Sequence, residues 1–523
     1  MSAAPKLLQA VGVVPPAQLT RISSRPPVST WVRLKFHALV VVICALLWAL
    51  LSPASSLIVS GCIVGIAYAW LGVAEARRGP LWVTPLSVFL FFYGVEMGPA
   101  TIYIGYGLRA NPWLPLASTM IPAKDLAAGY VISLVGMFAF HAGLEALRPA
   151  QTCTALRRYP HPFPFLTFGV LLLGSVLCLY RPLAVIPFGM FAIMLQYGGL
   201  AALLPLAFAS SHQLRISQLT QGMLLGVGTC GLLVAAAASQ NSSKMEILLA
   251  LLPLGALLVQ TRRFRRWFPF AAAVGFFFYL ALVAPAINNS RDIPTVRGLT
   301  TWGKVVQSAE TNSILSPGLS TWDLLSEQYG SLMMRMFEAP SATGFIVGEV
   351  TRSGLQLGDS LRTLEYAFIP RIIWPQKPIV SRGAWFTTYI GMAPRPQEAT
   401  SSTGMTAFGE WYWNFGIPGE IAGMFLIGIL LGGLWRLVGS YPIFEPMKML
   451  LYSAILVDSV MLPEASSVLV TMVALYLLFG GWVSFRRIVD LRAIRLRVDY
   501  QPPFLNPAHS ERCRQDRGRK HRN

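Results

Sequence analysis

About twelve apolar runs of near-spanning length follow one another along this 523-residue chain. They fall near 36–52, 55–73, 82–105, 125–146, 164–182, 185–210, 220–239, 246–261, 267–287, 419–438, 447–463 and 466–485. A helix needs roughly 20 apolar residues to cross the hydrocarbon of a bilayer. Composition agrees: 54% of residues are hydrophobic and 12% charged, with a mean hydropathy of +0.55, where a soluble domain carries about 25% charged residues. The expected fold class is an all-α polytopic membrane protein of about 12 transmembrane helices, with one large, partly helical loop between the ninth and tenth.

A net charge of +19 would suit nucleic acid if it were spread over a folded surface. It is not. Residues 288–418 hold ten basic and ten acidic residues, so the whole excess lies in the N-terminal segment, the short loops and the tail. With the N-terminus inside, Arg77, Arg78, Arg148, Arg157, Arg158, Arg215, Arg262, Arg263, Arg265, Arg266, Arg436 and Lys448 fall on the inner side. Arg109, Lys124, Arg181 and Lys244 fall outside. Positive residues collect on the cytoplasmic side of membrane proteins, so both termini are expected there and 288–418 outside. The expected organisation is 1–35, a cytoplasmic segment; 36–287, nine helices; 288–418, the outer loop; 419–485, three helices; and 486–523, a basic cytoplasmic tail. Its eleven basic residues read as a topology determinant in contact with anionic lipid. No nucleic-acid partner is expected. None of the six cysteines lies in 288–418, so no disulfide framework can hold that loop. No His/Cys cluster or D-x-D suggests a metal, and no cofactor is expected.

A loop this long between two spans usually carries function. Its residues 321–338, T-W-D-L-L-S-E-Q-Y-G-S-L-M-M-R-M-F-E, read as an amphipathic helix suited to the membrane interface. From Phe368 to Gly419 it concentrates Arg371, Lys377, Arg382 and Arg395 beside Trp374, Trp385, Trp411 and Trp413. Guanidinium groups clamp phosphate oxygens and flat rings cover sugar faces. In P-R-I-I-W-P-Q-K-P, three prolines fix the backbone carrying Arg371 and Lys377. Each loop cation has two open readings, a phosphate ligand or an interfacial anchor paired with a loop acid. Glu410, in F-G-E-W-Y-W-N-F-G, is either a general base toward a sugar hydroxyl or the partner of a loop arginine. Trp411, Tyr412 and Trp413 suit an aromatic belt or sugar stacking. Among acids within apolar runs, Glu96, Asp458 and Glu464 need accounting for.

Taken together, P-R-I-I-W-P-Q-K-P, then Thr400-Ser-Ser-Thr, then G-E-W-Y-W-N-F-G-I-P-G and the glycine-rich G-M-F-L-I-G-I-L-L-G-G resemble the Wzy-type oligosaccharide repeat-unit polymerases. S-Q-N-S-S-K-M-E-I-L-L-A-L-L upstream resembles the family's polar, basic turn before an apolar helix, and the likeness covers roughly 240–435. The resemblance implies a GT-C-like, metal-independent, inverting glycosyltransferase of the bacterial inner membrane. Such an enzyme moves a growing O-antigen or exopolysaccharide chain from undecaprenyl diphosphate to a lipid-linked repeat unit on the periplasmic face. Its partners are the undecaprenyl-diphosphate-linked oligosaccharide, the bilayer and a chain-length regulator. The resemblance assigns phosphate binding to Lys244, Arg335, Arg371, Lys377 and Arg382. Trp374 and Asn414 complete the expected substrate site, and Glu410 is the candidate base. A lipid-linked glycan flippase and an O-antigen ligase are the alternatives. The ligases are expected to use an outer-loop histidine, and all six histidines here lie elsewhere.

Overall fold

The computed structural model describes residues 29–76, 84–116, 119–149, 165–180, 197–208, 216–238, 321–367, 373–376, 382–391, 394–395, 404–439, 446–460 and 462–499, with isolated positions between them. These are mostly helical, and seven of their helices are long and apolar enough to cross a membrane. The protein is a helical multi-pass membrane protein. The expected spans at 246–261 and 267–287, the turn carrying Lys244, the Arg371 and Lys377 positions and the tail beyond 499 lie outside the described residues.

Four helices open the bundle: α1 (Thr30–Leu50), α2 (Pro53–Ala76), α3 (Pro85–Ala110) and α4 (Ala123–Ala146). Ser29 caps α1 by accepting the Val32 amide at 3.3 Å, and Thr84 and Ser87 form a reciprocal capping box at the start of α3. Pro99 lacks an amide hydrogen, and α3 widens around it into a π turn over Glu96–Ala100. One departure from the all-helical expectation joins α3 to α4. Trp113–Leu116 (β1) and Thr119–Pro122 (β2) pair antiparallel, with Leu114 opposite Ile121. Pro112 and Pro115 favour the extended backbone that such a ribbon needs.

At one end of these helices Arg33 of α1 is ion-paired with both Glu75 of α2 and Glu145 of α4. Arg148 closes the square, 2.6 Å from Glu75 and 3.1 Å from Glu145. One turn further in, His37 Nδ1 lies 2.9 Å from His141 Nδ1, and its Nε2 lies 2.7 Å from the Tyr68 hydroxyl. Two cations facing two carboxylates leave this buried cluster neutral, and it pins three helices together.

A second group, α5 (Phe165–Tyr180), α6 (Gly198–Phe208) and α7 (Gln218–Ala238), packs around Leu203, Leu206, Leu225 and Leu232.

The described part of 288–418 is built into the bundle. Helices α8 (Thr321–Met336) and α9 (Glu338–Ser353) meet at Phe337, which is fully buried. The expected interfacial helix therefore exists, but it packs on α3, with the ring of Tyr329 edge-on to Tyr103 at 5.6 Å. Helix α9 runs along α4, and its Ala339 amide reaches Glu96 in the middle of α3. After a 3₁₀ turn (Asp359–Arg362) come α10 (Thr363–Ala367), α11 (Arg382–Tyr389), α12 (Thr406–Val438), α13 (Pro446–Asp458) and α14 (Ala465–Asp499).

Helix α12 begins well before the expected Gly419. Gly416, at φ +67° in the left-handed region that glycine tolerates, divides it into two limbs. The Trp411 ring lies against Gly423, and the Trp411 carbonyl lies against Gly419. Residues eight and twelve apart along a straight helix would not meet, so the limbs fold beside one another. F-G-E-W-Y-W-N-F-G is thus a helical limb and not a loop.

Helix α4 is the axis of this half. Gly129, Gly136 and Gly143 recur every seven residues on one face, the spacing of two helical turns. Gly129 touches the backbone of Gly344 in α9, and Gly143 touches the backbone of α12 at Phe425 and Gly428. A methyl group at either site would overlap main chain, so the missing side chains set how closely the helices approach. From Val473 the chain forms a separate compact unit. Its described part is helical to Asp499, with the Arg486 guanidinium 5.1 Å over the Trp482 ring.

Candidate functional site

Two of the buried carboxylates have a plain structural task. Glu96 accepts the Ala339 amide at 3.0 Å, at the start of α9. Glu410 accepts the Ser466 amide at 3.3 Å, at the start of α14, and the Ser360 hydroxyl at 2.8 Å. The first amides of a helix have no partner within it, and they carry the positive end of its dipole. A carboxylate there offsets both. Asn414, one turn after Glu410, donates through Nδ2 to Ser360 Oγ at 2.6 Å and accepts the Gly358 amide at 2.8 Å.

This geometry gives the surroundings of two residues expected in the site. Glu410 and Asn414 are fully buried and tied to their own neighbours, so as they stand they position α12 against the 3₁₀ turn and α14. Trp413 is 1% exposed inside a cluster with Trp385, Phe386 and Tyr389, and Trp411 packs on Gly423. They form neither a lipid-facing belt nor an open stacking face.

Of the expected cations, Arg335 is half-buried in the last turn of α8. Arg382 begins α11, and its side chain lies outside the described residues, as do Lys244, Arg371 and Lys377 entirely. Trp374 is partly exposed, edge-on to Tyr366 at 6.1 Å. Glu410 and Asn414 are thus brought together, while Arg335 and Trp374 stand in other surroundings.

The chemistry gathers elsewhere. At the end of the bundle opposite Arg33, a cavity of about 590 Å³ opens between α4, α9, α12 and the β1–β2 ribbon. Lys124 and Asp125, in the first turn of α4, stand at its mouth with Arg352 from the last turn of α9. Trp48 and Trp113 add half-exposed indoles and Tyr412 a phenol. Arg352 is itself held 2.5 Å from Glu349, which also accepts the Tyr389 hydroxyl at 2.8 Å. Burial and that hydrogen bond push the Tyr389 hydroxyl up to about 12, so it remains a donor.

Beneath the cavity lies Glu420, in the second limb of α12, four residues after the Gly416 turn. Its side chain lines the cavity, and its carboxyl group rests against Gly136 of α4. It is fully buried, and neither oxygen has a hydrogen-bond partner among the described residues. A buried carboxylate without a partner is costly, which separates it from Glu96 and Glu410. The cavity can therefore hold a ligand with anionic groups at the mouth, an apolar or ring-shaped face against the aromatics, and a hydrogen-bonding group at the floor.

Sequence reasoning passed over Glu420, although an acid inside an apolar run is a signal in its own right. It also passed over Arg352 and Lys124 as a pair, since nothing local joins residues on α4 and α9. No protein family, curated protein or solved structure matches this chain.

Proposed function

We propose that this protein is an inverting, metal-independent membrane glycosyltransferase. In this account it polymerises undecaprenyl-diphosphate-linked oligosaccharide repeat units on the periplasmic face of a bacterial inner membrane. The observation that supports this most is the cavity carrying Lys124 and Arg352 at its mouth, indoles on its walls and Glu420 beneath it. It lies at the end of the bundle that the Lys/Arg distribution assigns to the outside, away from Arg33 and Arg148. A lipid diphosphate is a good leaving group, so the reaction needs cations for the departing charge and one base for the attacking hydroxyl. The Wzy-like residues Lys244, Arg335, Arg371, Lys377 and Arg382 belong to this proposal as the donor-diphosphate set. So do about twelve spans in all and a GT-C-like outer loop.

The test is lengthening in detergent. Purified protein with lipid-linked repeat units extracted from the producing cells is expected to give a ladder of longer lipid-linked glycans. A flippase moves its cargo across a bilayer and would give single repeats only, which would remove the polymerase assignment. In the same assay Arg371→Ala and Lys377→Ala are expected to stop the ladder at single repeats.

A further inference from the structure

We propose that Glu420 is the catalytic carboxylate of this cavity, the group that takes the proton from the acceptor sugar's hydroxyl; this rests on the polymerase reading. The residue pattern singles out Glu410 for that task, but Glu410 already receives the Ser360 hydroxyl and the Ser466 amide. To act as a base it would have to abandon a helix terminus. Glu96 is held in the same way by the Ala339 amide. Glu420 alone of these three has no hydrogen bond to give up among the described residues.

Its surroundings fit a movable base. The side chain borders the cavity while the carboxyl group is turned against Gly136, where any larger residue would occupy its place. Turning the carboxyl group into the cavity is a side-chain rotation that breaks no hydrogen bond among the described residues, and such rotations are fast beside any turnover. Until then its oxygens are closed to solvent, which protects the donor from attack by water that the same base would activate. Lys124 and Arg352 lie where the acceptor's own diphosphate would remain, toward the mouth. The aromatic walls would take the ring of the sugar.

The step balances. The acceptor oxygen forms a bond to the anomeric carbon of the donor glycan, and its proton passes to a Glu420 oxygen. The bond from that carbon to undecaprenyl diphosphate breaks, and its electron pair leaves with the diphosphate. The carboxylic acid turns back against Gly136 uncharged and gives its proton to solvent when it next turns into the open cavity, so no unpaired charge is held in the buried position.

In the detergent assay, Glu420→Gln keeps the shape and removes the base. Turnover is expected to fall at least ~100-fold, the ordinary worth of general-base assistance, with KM for the lipid-linked acceptor unchanged within about threefold. Glu420→Asp should recover part of that rate. A Glu420→Gln protein that lengthens glycans within about twofold of wild type overturns the assignment and leaves the polymerase standing. A wild type that lengthens nothing removes the polymerase itself. Should the variants fail to accumulate, wild-type protein carries the test through dicyclohexylcarbodiimide. The reagent is expected to modify Glu420, at least threefold more slowly when lipid-linked repeat units are present. Modification at an unchanged rate, or none at Glu420, overturns the proposal.

Discussion

Glu410 and Asn414, one helical turn apart, share the hydroxyl of Ser360: the carboxylate accepts it at 2.8 Å, and the Asn414 amide donates to the same oxygen at 2.6 Å. Both residues are fully buried, and the Asn414 side chain also accepts the Gly358 amide. Losing one member leaves the others partly unpaired, a cost of about 1–3 kcal/mol per buried group. Ser360→Ala and Asn414→Ala are each expected to lower stability by that amount in detergent. Because they belong to one network, the double variant should lose less than the sum, by about 0.5 kcal/mol or more. Strict additivity in thermal or denaturant unfolding would mean that Ser360 and Asn414 are not coupled.

The cluster at the other end predicts through charge balance. Removing Arg33 leaves Glu75 and Glu145 sharing Arg148, with one buried negative charge uncompensated. Arg33→Met should cost about 3–5 kcal/mol, the usual penalty for breaking a buried pair from one side. Arg33→Met combined with Glu145→Gln leaves the Arg148–Glu75 pair intact at 2.6 Å and should recover most of the loss. A double variant no more stable than Arg33→Met alone would show that charge balance is not what the cluster supplies.

What could be read from the sequence follows the range of the forces involved. Spans such as 125–146 and 220–239 were legible because helix length and apolarity are local, and α4 and α7 stand within two residues of those bounds. The first limb of α12 was not: its glycines and aromatics resemble a loop until Gly416 is seen turning one limb against the other. Arg148 read only as a topology signal and Arg33 went unremarked because the cluster closes over long separations, with Arg33 42 residues from Glu75 and 112 from Glu145, and Arg148 73 from Glu75. Glu410 attracted attention through its aromatic neighbours, yet the atoms that hold it belong to Ser360 and Ser466. Glu420 sits in G-I-P-G-E-I-A-G, and only Gly136, across the helix interface, reveals the room made for its carboxyl group.

Glycines in this protein should respond to alanine with opposite signs. At Gly129 and Gly143 the new methyl group would overlap the backbone of α9 or α12. Main chain yields less readily than a side chain, so Gly129→Ala and Gly143→Ala should each cost about 1–3 kcal/mol. Gly222 and Gly226, inside α7, have nothing among the described residues within 4 Å of the added carbon. There alanine only relieves the helix penalty of glycine, and a gain of about 0.5–1 kcal/mol is expected. Melting curves of the four single variants decide this, and destabilisation at Gly222 or Gly226 would contradict the packing described for α7.

Lys124 and Arg352 approach the cavity mouth from different helices, so each can be removed without disturbing the other's backbone. In the proposed reaction they hold the acceptor's diphosphate, which stays bound and unchanged through the chemical step. An interaction of equal strength in ground and transition states affects KM and leaves kcat alone. Lys124→Ala and Arg352→Ala are therefore each expected to raise KM for the lipid-linked acceptor by about tenfold, or about 1.4 kcal/mol, with kcat within about threefold. Added salt should mimic the effect in the wild type and matter less in the variants, since both cations stand at an open mouth where ions screen them. Arg352 also carries the Glu349 pair. Glu349→Gln, which frees Arg352 while leaving an acceptor for the Tyr389 hydroxyl, should lower KM or leave it unchanged. A fall in kcat with unchanged KM in the cation variants would move them from acceptor binding to the reacting centre.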